Sequence, residues 1–280
     1  MGEKTHFTLI TGASKGIGEA FAVECASRGH NLALVALPNE GLADLGKKLS
    51  SEYRVQVVTK ECDLSLPGAA SSVFEWCQEL GIQVQVLINN AGFGSTGNFD
   101  DKPMEFYTTM INLNVMTMVQ LTSLFLPQLK KLDRAYILNM ASASGFFPVP
   151  QKTVYASTKA FIINVSRALG RELRNTNVKV TVVCPNGVPT TEAVRERVKA
   201  IGWKGKMTTV EADYLARIGM DALYKGKSVL IPGWFNQFSV FISWLLPTKV
   251  AMGFMEKQFL KEIKEEKVSP PSERQPQPPA

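Results

Sequence analysis

The sequence predicts an α/β fold in which a parallel β-sheet is covered by helices on both faces. Short apolar runs alternate with longer segments of helical periodicity through the first 183 residues. Each run is continuously apolar, as expected of strands that are buried on both faces. Apolar residues make up 45% of the 280 positions and charged residues 20%. This composition is sufficient for a sizeable core and excludes a wholly disordered or collagen-like chain.

The individual elements follow from periodicity and from the residues that end each run. The first helix, for example, places Ile17, Phe21 and Cys25 on one face, and Gly29 ends it. Strands are predicted at 7–11, 32–36, 55–60, 86–88, 135–139, 179–183 and 229–231. Helices are predicted at 16–28, 40–51, 67–80, 104–130 and 153–175.

Charge and cysteine usage limit the classes of partner. The formal net charge is +6 and the isoelectric point is about 9.1, well short of a nucleic-acid-binding arm, so no nucleic-acid partner is expected. The four cysteines lie far apart and there are only two histidines, which argues against a disulfide framework and against a metal site. No basic-then-apolar segment opens the sequence, so a cytoplasmic location is predicted.

A glycine-rich loop, TGASKGIG at residues 11–18, follows the first strand. Gly12 would make the tight turn, Gly16 would let backbone amides approach a pyrophosphate, and Gly18 would let the helix pack closely on the sheet. The helix N-terminus adds unpaired N–H groups. The spacing differs from the standard GxGxxG fingerprint, so an ordinary glycine-rich turn is the alternative. The predicted cofactor contacts in this loop are Gly12, Ser14, Lys15, Gly16, Ile17 and Gly18.

Two features favour NADP(H) over NAD(H) as the cofactor. Residues 36–39 carry no acid that could bind a ribose 2′-hydroxyl, and the first carboxylate is Glu40. Lys15 lies in the glycine loop, where its charge could meet a 2′-phosphate. Against this, Leu37 stands where an arginine often follows the strand, and Lys15 could be a solvated charge. NAD(H) therefore remains the alternative.

Tyr155 and Lys159 lie one turn apart in a predicted helix and project from the same face. An ammonium group close to a phenol favours the phenolate, which is a physical reason for this pair in acid–base chemistry. Ser142 lies 13 residues before Tyr155, directly after a strand, where its hydroxyl could hold a carbonyl oxygen. The segment NNAG at 89–92 closes the fourth strand.

In this order, TGxxxGxG, NNAG, Ser142 and YxxxK resemble the motifs of the classical short-chain dehydrogenase/reductase (SDR) family. The resemblance runs from about Lys4 to about Pro232. It implies a single Rossmann-type, doubly wound sheet of seven parallel strands and a nicotinamide cofactor. It also implies hydride transfer between a carbonyl compound and an alcohol, with a homo-oligomer (dimer or tetramer) as the expected assembly.

The resemblance also implies roles for individual residues. Tyr155 would donate or accept the proton, Ser142 would polarise the substrate oxygen, and Lys159 would bind the nicotinamide ribose and lower the pKa of Tyr155. Asn114 would anchor a proton-relay water, with Asn112 as a nearby competitor. The remaining expected cofactor contacts are Asp63, Leu64, Asn90, Ala91, Gly92, Pro185, Val188 and Thr190. One departure is Asn186, which stands where the family usually has glycine; asparagine tolerates unusual backbone angles.

The segments expected around the substrate are apolar and carry no fixed acid or base. They comprise Phe93, residues 144–150 and Val154. Since burial of apolar surface contributes about 25 cal/mol per Å², a hydrophobic ketone, aldehyde or alcohol of acyl or steroid type is predicted. The alternative is a cofactor-binding scaffold or membrane-associated sensor without turnover.

The C-terminal part of the chain is predicted to extend beyond the catalytic domain. Residues 228–248 carry no charge, but Pro and Gly interrupt them, so we predict a strand, a turn and a short apolar helix at 238–246 rather than a membrane span. That helix could form a dimer seam or core cap, or make peripheral membrane contact. The basic segment 192–206 is either a solvated face or a region that attracts anionic substrates or membranes. The predicted boundaries are 1–235 for the catalytic domain, 236–267 for a helical extension and 268–280 for a disordered Pro-rich tail.

Overall fold

A computed structural model of the chain describes residues 6–190, 208–245 and 252–253. It contains a seven-stranded sheet in the order β3-β2-β1-β4-β5-β6-β7, with every neighbouring pair parallel. The strands are β1 (His6–Thr11), β2 (Asn31–Ala36), β3 (Val57–Glu61), β4 (Gln83–Asn89), β5 (Ala135–Met140), β6 (Val178–Val183) and β7 (Val229–Leu230). The predicted Rossmann-type fold is confirmed.

Eight α-helices connect or flank these strands within the described residues. They are α1 (Gly16–Ser27), α2 (Leu42–Tyr53), α3 (Ala69–Glu79), α4 (Met104–Ile111), α5 (Thr117–Leu129), α6 (Thr153–Glu172), α7 (Ala212–Tyr224) and α8 (Trp234–Leu245). A π-helical turn, Asn112–Met116, joins α4 to α5.

Apolar side chains fill both faces of the sheet. On one face, α1, α2 and α7 pack over strand residues such as Ile10 and Leu34. On the other face, α3 and α5 cover residues such as Leu9 and Val35. Burial on both faces explains why the strand sequences show no alternation of apolar and polar residues.

The sheet order creates a crevice at the carboxyl ends of β1 and β4. From β1 the chain proceeds to β2 and β3 on one side, and it then crosses to β4 and the later strands on the other. The loops that follow β1 and β4 therefore leave in opposite directions. In open α/β sheets, this switch point is where ligands bind.

Several element boundaries differ from the predicted ones for local reasons. Helix α2 begins at Leu42, two residues later than predicted, because Gly41 adopts a left-handed conformation with φ +71°. Helix α8 begins at Trp234, four residues before the predicted start. Helix α7 was not predicted, although its buried residues Leu215, Gly219 and Leu223 recur at helical spacing.

Among the described residues, the continuous helix Met104–Leu129 is long and apolar enough to cross a membrane. It comprises α4, the π-helical turn and α5. Its residues Leu121, Phe125 and Leu129 are buried against the sheet. Some of the apolar residues of this helix therefore belong to the core of the domain.

Three of the predicted features lie outside the described residues. These are the basic segment 192–206, the part of the predicted helical extension beyond residue 253, and the Pro-rich tail at 268–280. The apolar stretch 228–248 is described as far as residue 245.

Candidate active site

The glycine loop forms a close-packed cradle at the carboxyl end of β1. Gly12 and Gly16 have φ values of +64° and +61°, which glycine adopts without strain. A Cβ atom on Gly18 would lie 1.9 Å from the carbonyl oxygen of Gly12, so only glycine fits there. The backbone of residues 12–18 can thus approach a phosphate closely, which fits the pyrophosphate of a dinucleotide.

Hydrogen bonds tie the glycine loop to the segment that follows β4. The Asn90 side-chain amide donates to the carbonyl oxygens of Thr11 (2.9 Å) and Gly12 (3.1 Å). In return, the Thr11 hydroxyl accepts from the backbone N–H groups of Asn90 and Ala91. The structure therefore brings the two predicted cofactor segments, 11–18 and 90–92, into direct contact.

Lys15 and Ser14 both contact a residue of the loop after β2. The Lys15 ammonium lies 2.5 Å from Glu40 Oε1, and the Ser14 hydroxyl donates to Glu40 Oε2 at 2.6 Å. Partial burial acts to raise the pKa of Glu40, but these two hydrogen bonds hold it below its ordinary value. Lys15 is thus an ion-paired residue of the loop rather than a merely solvated charge.

Asp63 and Leu64 lie in the turn that follows β3. The Asp63 carboxylate accepts hydrogen bonds from the backbone and the hydroxyl of Ser65. Leu64 is buried, and its carbonyl oxygen accepts a 2.6 Å bond from the hydroxyl of Thr117. Thr117 directly follows the π-helical turn, so the predicted cofactor segment 63–64 is fixed to the helix that carries Asn114.

Tyr155 lies beside Ser142, whose hydroxyl acts to lower the pKa of Tyr155 against the larger, raising effect of burial. Ser142 is buried, and its hydroxyl oxygen accepts from the hydroxyl of Ser144 at 2.9 Å. The Tyr155 ring packs against Gly94, where a Cβ atom would lie 2.8 Å from two ring carbons. The tyrosine in the first turn of α6 and the serine that follows β5 therefore meet beside the loop after β4.

Lys159 is buried under this pair. Its ammonium donates to the carbonyl oxygen of Met140 at 3.0 Å and lies 5.7 Å from the centre of the Tyr155 ring. Burial lowers the pKa of Lys159 to about 8, partly offset by the nearby Cys184 thiol. A Cβ atom on Gly92 would lie 3.6 Å from the ammonium, so the NNAG segment reaches Lys159.

The expectation that Tyr155 has a lowered pKa does not describe this structure. Burial raises the pKa of Tyr155, and the neighbouring Ser142 hydroxyl opposes that shift without reversing it. The physical reason is that burial disfavours the charged form of a phenol and of an ammonium alike. The same surroundings lower the pKa of Lys159, so its charged ammonium form is also less favoured.

Asn114, rather than its competitor Asn112, connects the elements of the site. It lies fully buried in the π-helical turn, an irregularity that often marks functional sites. Its side chain accepts from the N–H of Phe93 (3.0 Å) and donates to the carbonyl of Phe93 and to the Thr158 hydroxyl. Asn114 thereby joins the loop after β4 to helix α6 next to Lys159.

The loop after β6 borders the site from the other side. The carbonyl of Pro185 accepts from the N–H of Ala143, and the N–H of Thr190 donates to the carbonyl of Val188, both at 2.8 Å. The Thr190 methyl group lies 3.0 Å from where a Gly16 Cβ would stand. The predicted contacts Pro185, Val188 and Thr190 therefore lie between the glycine cradle and the segment containing Ser142.

Asn186 does not need the unusual backbone angles expected at a glycine position. It is not among the residues with positive φ. Its side-chain amide lies 3.4 Å from Asn236 Oδ1. Asn236 is a buried residue of α8 and donates to the carbonyls of Pro232 and Thr208. The departure from the family pattern thus connects this loop to the C-terminal helix.

Of the predicted substrate-side residues, Val154 lines a small cavity next to Tyr155. This cleft is also lined by Phe99 and Tyr107, and by Ser95, Lys102 and Lys152. Two of the predicted wall residues take part in packing. Val149 is buried, and a Cβ on Gly145 would lie 2.7 Å from the backbone of Lys159, so Gly145 sits against α6.

Four residues that the sequence analysis did not assign contribute to the site: Thr11, Glu40, Gly94 and Thr158. Thr11 opens the glycine motif and Gly94 follows NNAG by two positions, so motif position could have identified both. Thr158 stands between the two predicted catalytic residues of α6. No spacing rule points to Glu40, because its place depends on how the loop after β2 folds.

Comparison with known proteins agrees with this geometry. The short-chain dehydrogenase family profile matches residues 6–201. Among curated relatives, the chain is similar to very-long-chain 3-oxoacyl-CoA reductase-A from Danio rerio, with 36% identity over 66% of this chain and 58% of the relative. It is also similar to 7β-hydroxysteroid dehydrogenase from Mediterraneibacter gnavus, with 31% identity over 62% and 66% of the two chains.

Solved structures give the same result. A 7β-hydroxysteroid dehydrogenase structure superposes with a TM-score of 0.81 and 27% identity, covering 91% of this chain and 98% of that one. A short-chain dehydrogenase from Sphingobium yanoikuyae in complex with NADPH has a TM-score of 0.71 and 30% identity, covering 81% and 88%.

The chain therefore belongs to the short-chain dehydrogenase/reductase family, within its classical group. It spans between 54% and 60% of the length of the first three curated relatives.

Proposed function

We propose that this chain is an NADP(H)-dependent oxidoreductase that interconverts a hydrophobic ketone or aldehyde with the corresponding alcohol. The observation that carries the proposal is the placement of Tyr155 beside Ser142 and 5.7 Å, measured from its ring centre, from the buried ammonium of Lys159. These groups lie next to a glycine cradle of dinucleotide type. Such a constellation combines acid–base chemistry with cofactor binding in one crevice.

Tyr155 is the proposed general acid and base. When bound, the nicotinamide supplies or accepts a hydride at the substrate carbon. During reduction the Tyr155 hydroxyl gives its proton to the substrate oxygen, and during oxidation the phenolate takes it back. Because burial raises the pKa of Tyr155, the phenol is protonated at neutral pH, the form that carbonyl reduction requires.

The neighbouring residues have supporting roles. The Ser142 hydroxyl holds and polarises the substrate oxygen, and Lys159 binds the nicotinamide ribose and returns protons towards Tyr155. Asn114 fixes the loop after β4 and anchors the proton-relay water expected for the family. Glycine-loop residues hold the pyrophosphate, and residues 63–64, 90–92 and 185–190 enclose the remainder of the cofactor.

NADP(H) is the proposed cofactor, with NAD(H) as the alternative. Lys15 is the cation of the glycine loop, and it projects into solvent where a 2′-phosphate could meet it. The structure from Sphingobium yanoikuyae, which is 30% identical, is a complex with NADPH. Both observations favour the phosphorylated nucleotide.

An acyl or steroid-type carbonyl compound is the proposed substrate class. The cleft beside Tyr155 offers Val154, Phe99 and Tyr107 as apolar contacts. The names of the relatives specify very-long-chain 3-oxoacyl-CoA and 7β-hydroxysteroid substrates, which are lipid-like. Lys102, on the same cleft, would suit an anionic end on such a molecule.

The proposed organisation is a catalytic domain at 1–235, a helical extension at 236–267 and a Pro-rich tail at 268–280. We propose a cytoplasmic homo-oligomer that makes peripheral membrane contact through residues 228–248. Exposed apolar side chains at Ile111, Met116 and Phe161 support self-association. The exposed apolar face of α8 supports contact with lipid.

A fluorescence titration with NADPH and NADH, followed by a carbonyl panel, tests the proposed function. NADPH should bind more tightly, and long-chain 3-oxoacyl thioesters or steroid ketones should be reduced faster than small sugars. Preference for small polar sugars over every lipophilic carbonyl would contradict the substrate class.

Tyr155→Phe distinguishes an enzyme from a scaffold. The substitution removes the proton donor and keeps the ring against Gly94, so turnover should fall by about 10²–10⁴-fold while the dissociation constant for NADPH stays within about twofold. Val154→Ala, at the neighbouring cleft position, serves as the control and should change KM rather than kcat. Unchanged turnover in Tyr155→Phe would refute the role of Tyr155, and nucleotide binding without turnover on the whole panel would favour the scaffold.

A further inference from the structure

A single carboxylate bridges the loop after β1 and the loop after β2. Glu40 accepts hydrogen bonds from the Ser14 hydroxyl at 2.6 Å and from the Lys15 ammonium at 2.5 Å. The two residues that flank Glu40 both have left-handed backbone conformations, with φ +63° at Asn39 and +71° at Gly41. These turns fold the loop so that Glu40 points back at the glycine loop.

The charges at this position are few and paired. Residues 11–18 and 36–42 together contain one basic residue, Lys15, and one acidic residue, Glu40. The Lys15 side chain is 68% exposed, whereas that of Glu40 is 22% exposed. The ammonium is therefore approachable from solvent, and the carboxylate lies beneath it. Its lowered pKa keeps Glu40 ionised at neutral pH.

This pair lies where an open α/β fold discriminates between nucleotides. The adenosine ribose of a dinucleotide lies near the end of β2, and an acid there accepts the 2′-hydroxyl of NAD(H). Ala36, the last residue of β2, is apolar, and Glu40 is the carboxylate that the folded loop returns to this place. Because Glu40 lies four positions after Ala36 in the sequence, the sequence alone would not place its carboxylate there.

We propose that Glu40 sets the balance between NADPH and NADH. Its carboxylate accepts the 2′-hydroxyl of NADH, and it competes with the 2′-phosphate of NADPH for Lys15 and Ser14. The inference rests on the proposed function only in that the cradle must bind a nicotinamide dinucleotide. Glu40 thereby limits the preference for NADPH. The 2′-phosphate needs the Lys15 ammonium, which is already paired with the Glu40 carboxylate.

The test measures binding rather than activity. Wild type, Glu40→Gln and Asp44→Asn are titrated calorimetrically with NADPH, NADH, adenosine 2′,5′-bisphosphate and AMP. Asp44 is the matched control, since its 87% exposed carboxylate lies in the first turn of α2 and pairs only with Lys47 within the described residues. The two adenosine fragments isolate this end of the cofactor from the nicotinamide site.

Glu40→Gln should lower the dissociation constants for NADPH and adenosine 2′,5′-bisphosphate about tenfold. A change of this size corresponds to one charge-assisted hydrogen bond. In the same variant, the dissociation constants for NADH and AMP should rise by a few fold. Asp44→Asn should leave the ratio of the NADPH and NADH dissociation constants within twofold of wild type. Glu40→Asp keeps the charge but shortens its reach, and it should shift the ratio in the same direction by less.

The outcomes separate this inference from the proposed function. If Glu40→Gln and Glu40→Asp bind both nucleotides but leave their ratio at the wild-type value, or if they weaken NADPH, Glu40 does not set the balance, and the proposed function stands. If wild type and all variants bind neither nucleotide while retaining the wild-type circular dichroism spectrum, both the inference and the proposed function are overturned.

Discussion

The same burial moves the pKa values of Tyr155 and Lys159 in opposite directions. The pKa of the phenol rises and that of the ammonium falls to about 8, because a site with little water disfavours whichever form is charged. The phenol, the Ser142 hydroxyl and the lysine thus lie together at one place in the fold. The raised pKa keeps the Tyr155 phenol protonated at neutral pH.

The depressed pKa of Lys159 has a consequence for stability. Between pH of about 8 and 10.5, the unfolded chain keeps a proton that folded Lys159 has lost. The contribution of this residue to the free energy of unfolding therefore increases with pH in that window, by up to about 1.4 kcal/mol per pH unit. Below pH 8, both states hold the proton and the contribution is constant at its least favourable value.

We expect the difference in unfolding free energy between wild type and Lys159→Met to shift in favour of wild type from pH 8 to pH 10. Urea unfolding at several pH values measures it. The cysteines and the remaining tyrosines titrate in both proteins, so subtraction removes most of their effect. A difference that stays flat, or that moves towards the variant, would show that Lys159 keeps an ordinary pKa in the folded protein.

At the scale of elements, helix α6 is fixed against the turn after β5 by a glycine. A Cβ atom on Gly145 would lie 2.7 Å from the Lys159 carbonyl carbon and 2.8 Å from the Ala160 nitrogen. These are backbone atoms, which cannot move aside as the end of a side chain can. The separation between Ser142 and Tyr155 therefore depends on the absence of a side chain at residue 145.

Gly145→Ala should destabilise the protein by about 1–3 kcal/mol and should raise the KM for carbonyl substrates by separating Ser142 from Tyr155. Gly170→Ala, on helix α6 against which Gly145 packs, is the control. Its Cβ would find its nearest atom at 3.5 Å, an ordinary contact, so it should stabilise the protein by about 0.5–1 kcal/mol. Urea midpoints measure both, and equal effects of the two alanines would contradict the packing argument.

At the scale of the whole molecule, α8 packs one face against the rest of the described domain and has an exposed apolar face opposite. Asn236 and Val240 are buried, and Asn236 bonds to the loops at 186 and 208. The opposite face carries Trp234, Phe238, Phe241 and Leu245, each between 55% and 72% exposed. Their spacing of four, three and four residues forms a continuous stripe. Such a stripe suits a membrane surface or a second copy of the chain.

Phe238→Glu should abolish cosedimentation of the full chain with vesicles of phosphatidylcholine and phosphatidylglycerol. Leu80→Glu introduces the same charge at another exposed apolar position, 52% exposed at the end of α3, and should leave sedimentation unchanged. If neither wild type nor Leu80→Glu binds vesicles, membrane contact is wrong. If, in that case, Phe238→Glu has a lower mass than wild type by light scattering, the stripe is the contact surface between two copies of the chain.

Local sequence predicted most of the framework. The helix register of Tyr155 and Lys159, the glycine loop and the apolar strands could be located because each depends on residues within a few positions. Helix α7 could have been found by the same periodicity. The left-handed Gly41 that delays α2 and the early start of α8 at Trp234 were not predicted, since helix ends depend on backbone angles and contacts beyond the local pattern.

What the sequence by itself determined was the fold class, the family and the set of residues from which a site could be built. Only the tertiary structure decided that Glu40 folds back onto Lys15, that Asn114 rather than Asn112 joins the loops, and that Asn186 meets the C-terminal helix. It also reversed the expected direction of the Tyr155 pKa. The physical reason is that periodicity and motif spacing report neighbours along the chain, whereas ion pairing and desolvation depend on groups brought together from distant strands.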